Sequence, residues 1–150
     1  MTVARDRLML VLPADHPAAG AEKVSLHQVA HERFIVFPRE RRMLLHAMMM
    51  DLWARAELTP RVALEADNPV AMLSLVSTGF GNTILPSLLS GIHIPNVVWK
   101  TIDVDEQWTA RSIVMLYRTD GPNEKMQSRY IDYMRQFSDE SASEDRPQLA

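Results

Sequence analysis

Apolar and polar positions fall into blocks along the chain. Leu8 to Leu12 is a continuous apolar run, as expected of a strand buried on both faces. Pro13 ends it, and Ala14 to Lys23 reads as a loop. Ser25 suits the cap of a short helix carrying Leu26, Val29 and Ala30. Phe34 to Phe37 is a second buried strand, stopped by Pro38. A longer helix follows, about Arg42 to Glu57, with Leu45, Met48, Met49, Leu52 and Ala56 on its core face. Arg61 to Ala66 reads as a third strand, with Val62 and Leu64 on one face.

The stretch from Leu64 to Leu89 is the most ordered in its signals. Asn68 can cap a helix, and Pro69 fits the first turn because proline has no N–H to lose there. Val70, Leu73 and Val76 recur at helical spacing. Gly79 suits the left-handed residue that ends a helix, and Gly81 a tight turn into the strand Thr83 to Leu85. Pro86 then opens another helix. Val97 to Ile102 and Ser112 to Tyr117 read as further strands, the latter central. Asn123 to about Phe137 reads as a final helix with Met126, Tyr130, Tyr133, Met134 and Phe137 on one side. Strands alternating with helices predict an α/β fold with a largely parallel sheet. The acidic, aperiodic tail, 138–150, is expected to be disordered.

Composition narrows the chemistry. The net charge is -3, so no global positive field draws the chain to nucleic acid. There are no cysteines, which excludes disulfides, zinc–thiolate sites and thiol nucleophiles. No apolar run reaches the ~18 residues of a membrane span, and MTVARDRLML lacks the apolar core of a secretory signal. A cytoplasmic location is expected.

The ordered series resembles the effector-binding, or substrate-binding, domain of LysR-type transcriptional regulators. RLMLVLPADHPAAG (Arg7 to Gly20) is similar to the family's crossover strand and His-Pro turn, and ERFIVFPRE (Glu32 to Glu40) to its next strand and Pro-Arg loop. The valine-bearing helix, G-x-G turn and strand ending in proline follow, and SIVMLYRTD (Ser112 to Asp120) is similar to the returning strand. The likeness spans roughly Arg7 to Phe137. It implies a type II periplasmic-binding-protein-like α/β fold over 1–137. About 13–106 would be a nearly complete second subdomain, and 110–137 the returning strand and helix of a truncated first one. The winged helix-turn-helix and the opening half of the first subdomain have no counterpart, so the chain is read as the C-terminal portion only, with no specific DNA binding of its own.

PRERRM, Pro38 to Met43, joins a strand end to a helix start. Ligands of open α/β sheets favour the carboxyl ends of strands, and helix N-termini offer free N–H groups to anions. Arg39, Arg41 and Arg42 add fork-shaped donors that suit carboxylates. In the resembled family this loop lines the effector cleft. Pro38, Arg39, Arg41, Arg42 and Met43 are therefore candidate ligand residues, against the reading of a solvated basic turn. Gly79, Phe80 and Gly81 are candidates because glycine lets a backbone approach a ligand, against a purely structural turn.

Met50 and Trp53 lie away from the helix's expected core stripe, and are candidates for an interface in a homo-oligomer or with a regulator subunit. His27 and His31, four apart, lack a third metal ligand at any recognisable spacing. His16 reads as a turn residue, while His46 and His93 show no evident partners. No nucleophile elbow or acid–base pair is visible, so no catalytic residue, metal or cofactor is assigned and the chain is not read as an enzyme.

The reading is a small-molecule sensing domain, or part of one, taking a small anionic metabolite in a cleft between subdomains. VVWK (Val97 to Lys100) and Tyr117 to Asp120 are similar to members that sense acids of aromatic degradation. The rivals are a stand-alone protein that pairs with full-length regulators, a small α/β enzyme, and a transport solute-binding protein, the last disfavoured by the absent signal.

Overall fold

The computed structural model describes residues 2–114 and 124–143, with side chains for 2–114 and 126–136. The chain divides into two compact units, Arg7–Ala110 and Met1–Asp6 with Arg111–Ala150.

In the larger unit the long strand β1 (Thr2–Pro13) supplies its second half. Leu10, Val11 and Leu12 are fully buried, as the unbroken apolar run requires. β1 pairs antiparallel with both β5 (Thr83–Pro86) and β6 (Val97–Ile102). β6 pairs parallel with the short β2 (Lys23–Val24). The path is β2-β6-β1-β5, and β7 (Ala110–Val114) pairs β1 off it. The sheet is thus mixed, where a largely parallel one was expected. An apolar run reports burial on two faces; it carries no information on direction.

A second, parallel pair joins β3 (Arg33–Val36) to β4 (Arg61–Glu65), with Arg33 opposite Arg61 and Val36 opposite Glu65. An isolated bridge from Phe34 to Asn82 links β3 to the approach of β5. β3 is buried from Phe34 onward, whereas every residue of β4 is exposed. β4 is an edge strand.

The helices start where their caps stand. Ser25 and Gln28 form a capping box at α1 (Leu26–Val29). At α3 (Pro69–Ser77) the Asn68 side chain accepts the Val70 N–H at 2.8 Å, with proline in the first turn. Met72, Leu73 and Val76 face the core, while Val70 is exposed, contrary to expectation. Asp105 caps the short α4 (Glu106–Thr109), its side chain accepting the Gln107 N–H at 3.1 Å. After Pro86 the chain makes a 3-10 turn, Ser87–Gly91, in place of a full helix.

α2 (Met43–Arg55) buries Met49, Leu52 and Trp53. Trp53 is 1% exposed and meets Phe34 edge-on, ring centroids 4.8 Å apart. Met50 is half-buried and packs against the same core. Burial of Trp53 corrects the expectation that it lies exposed at an interface. Positions 49, 52 and 53 lie on one helical face, so the stripe is rotated toward the tryptophan.

In the smaller unit, α5 (Glu124–Ser143) is longer than expected, so 138–143 are helical and not part of a disordered tail. Met126, Tyr130 and Tyr133 are exposed on it. Ile113 and Val114 of β7 are exposed too, against the expectation of a central strand. Tyr117–Asp120 and residues 144–150 lie outside the described residues.

Candidate functional site

The parallel pair β3–β4 has a crevice at each end. The carboxyl-end crevice has a cavity volume of about 490 Å³ and is lined by Pro38, Arg39, Glu40, Arg41, Glu65, Ala66 and Asp67. Strand pairing ends as Ala66 N–H donates to the Val36 carbonyl, and the chain turns through Pro38 into α2. The loop is closed by Arg42 N–H donating to the Pro38 carbonyl at 2.9 Å. The ring nitrogen Nδ1 of His46 donates to the Phe37 carbonyl at 2.6 Å. His46, with no partner evident from sequence, thus ties the first turn of α2 to the end of β3.

Arg42 is the N-cap of α2, and its side chain makes no capping bond. The amides of the first turn, from Met43 onward, therefore lack side-chain acceptors and remain available to a ligand or water. Arg41 Nη1 donates to the Asp67 carboxylate at 3.1 Å, and Arg42 Nε to the Asp67 carbonyl at 3.3 Å. The Arg41–Asp67 pair is exposed, so it adds roughly 0–1 kcal/mol of stability. Its main consequence is local, since it neutralises one of the loop's cations. Arg39 has no carboxylate partner among the described residues. Met43 is 71% exposed at the helix start.

The amino-end crevice holds about 460 Å³ and is lined by Pro13, His16, Glu32, Arg33, Arg61, Gly79, Gly81 and Asn82. The G-x-G turn belongs to this crevice and not to the arginine loop. The eight candidate ligand residues therefore do not converge: Pro38, Arg39, Arg41, Arg42 and Met43 sit at one end of β3, the turn at the other. The reason is register. Gly81 lies against the first residue of β3, where an added Cβ would stand 2.8 Å from the Arg33 carbonyl oxygen. Pro38 lies beyond its last. Phe80 packs half-buried against the core beneath the Arg33 guanidinium, 5.3 Å from its ring centroid.

Sequence reasoning missed a polar network in this crevice. Ala18 N–H donates to His16 Nδ1 at 3.0 Å, so Nε2 carries the ring hydrogen and donates to Glu32 Oε2 at 2.8 Å. Asn82 Nδ2 donates to the same oxygen at 2.5 Å. Asn82 also donates its N–H to the Arg33 carbonyl and accepts from Ile35 N–H. The network pins the His-Pro turn to β3 and β5. Its members stand far apart in sequence, so no local spacing announces them.

Among the described residues no group of three His, Asp or Glu could hold a metal ion, and no helix is long and apolar enough to cross a membrane.

The family model of the LysR substrate binding domain matches residues 1–139. The chain belongs to the LysR substrate-binding domain family. Its mixed α/β, periplasmic-binding-protein-like fold is that of LysR effector-binding domains. Among curated relatives, an uncharacterized HTH-type transcriptional regulator, YnfL of Escherichia coli K12, is 30% identical over 110 residues, or 71% of this chain and 37% of YnfL. The full-length CbnR complexed with its target DNA superposes with a TM-score of 0.76 at 20% identity, over 92% of this chain and 47% of CbnR. The BenM effector-binding domain with its effector benzoate gives 0.75 at 18% identity, over 99% of this chain and 67% of that domain. This LysR domain chain thus spans well under half the length of YnfL, and the curated relatives it matches are named as transcriptional regulators.

Proposed function

We propose that the chain is the sensing portion of a LysR-type regulator, and that the carboxyl-end crevice of β3–β4 takes a small carboxylate effector. The observation that carries this reading is the uncapped start of α2 beside Arg39. The free amides of the first turn and the positive end of the helix dipole favour an anion there. Arg39 adds a cation that no described acid neutralises. Glu40, Glu65 and Asp67 line the same crevice, so the anionic end of a ligand is drawn to the helix start and kept off the β4 side. BenM, of similar fold, has a carboxylate effector, benzoate. Occupancy of the crevice would shift a conformational equilibrium, which the regulator's subunit contacts would pass to its DNA-binding part.

The test is a titration of the chain with benzoate, followed by amide chemical shifts. Shifts should cluster at Arg39 to Leu45. Arg39→Ala should weaken binding about tenfold or more, the size of one charge-assisted hydrogen bond, with the thermal midpoint nearly unchanged. Arg42→Ala should do less, because that side chain is held by the Asp67 carbonyl. Equal affinity in Arg39→Ala would remove the loop from the site.

We infer further that self-association with another regulator subunit uses β4, in place of Met50 and Trp53. Among the described residues β4 pairs with β3 alone, and it exposes Val62 and Leu64. An unpaired edge with apolar side chains is a template for a second strand.

A further inference from the structure

The amino-end crevice carries its own chemistry. Arg33 and Arg61 are register partners on neighbouring parallel strands, so two guanidinium stems leave the sheet side by side. Like charges placed directly opposite each other destabilise a strand pair unless something neutralises them. Neither arginine has a carboxylate partner among the described residues, whereas Arg41, Arg55 and Arg135 each pair with an aspartate. The one acid in the crevice, Glu32, already accepts from His16 and Asn82 through Oε2.

The wall is built, not loose. Arg33 Nη2 donates to the Gly79 carbonyl at 3.4 Å while the guanidinium lies over Phe80. The Arg33 carbonyl accepts from Asn82 N–H and abuts Gly81, where there is no room for a Cβ. The floor of the crevice is therefore fixed backbone. Two guanidinium forks above such a floor match the paired oxygens of a carboxylate or phosphate group.

We propose that this crevice is a second site, binding a small oxyanion between Arg33 and Arg61. It lies at the opposite end of β3–β4 from the Arg39 crevice and does not depend on it.

The experiment is a titration of the isotope-labelled full chain with inorganic phosphate and, separately, with acetate, both at constant ionic strength set with sodium chloride. Amides near Arg33, Arg61 and Gly79 to Asn82 should shift and saturate with at least one probe, and the tighter probe names the class of oxyanion. Arg61→Gln lies on an exposed edge strand and leaves the core intact. It should weaken binding, read from the shifts of Gly79 to Asn82, about tenfold or more, while Arg55→Gln, on α2 and outside both crevices, leaves it unchanged. Non-saturating shifts with both probes would overturn the proposal, as would an unaltered affinity in Arg61→Gln. Loss of phosphate or acetate binding in Arg39→Ala but not Arg61→Gln would assign the oxyanion to the other crevice, and overturn it as well.

Discussion

Gly79 and Gly81 sit two residues apart and are needed for different reasons. Gly79 has a φ of 72° with open space around its missing Cβ. A side chain there meets only the backbone preference against left-handed geometry, about 1–2 kcal/mol. Gly81 has ordinary backbone angles but no room. Gly81→Ala must push the Arg33 carbonyl aside, displacing β3, and should destabilise by about 1–3 kcal/mol. Urea unfolding of Gly79→Ala and Gly81→Ala, with amide shifts of β3 as a second readout, separates the two causes: only Gly81→Ala should perturb β3. Trp53 is the other decisive residue. Trp53→Ala should cost about 3–5 kcal/mol, seen as a fall in the urea midpoint; a loss under 1 kcal/mol would contradict its place in the core. The two glycines were legible as a turn, because both readings of G-x-G need small residues. Trp53 was misplaced, because a helix with leucine or methionine at most positions offers several candidate stripes. Only the partner ring of Phe34 decides among them.

At the scale of elements, β4 shows how an apolar pattern can mislead. Val62 and Leu64 alternate like a half-buried strand, yet both are exposed. If β4 is where copies of the regulator meet, Leu64→Lys should shift the chain toward monomer in sedimentation velocity without lowering its thermal midpoint. A chain that is monomeric at all concentrations before mutation would reject that role. Capped helices were the most legible elements, since Ser25 and Asn68 signal locally. β2, α4 and the direction of the main sheet were not, because they depend on pairings between remote segments. The candidate site shows the same divide. Its arginine loop could be read from adjacent residues, whereas the separation of the G-x-G turn from it is a fact of strand register. So is the joining of His16, Glu32 and Asn82.

On the scale of the molecule, β1 is the strand on which the larger unit depends. It meets β5 on one edge and β6 on another, with Leu8 opposite Pro86 and Leu10 opposite Lys100. Every helix of the Arg33–Ser77 region lies between those partners and β1 in the chain. During synthesis β1 leaves the ribosome long before either neighbour exists. Its run of Leu8 to Leu12 must therefore wait, unpaired and apolar, until most of the unit has emerged. Closing such long loops is entropically slow, and an unpaired apolar strand is prone to aggregate in the interval. The same central strand that gives the finished unit its core makes the nascent chain a natural client for chaperones.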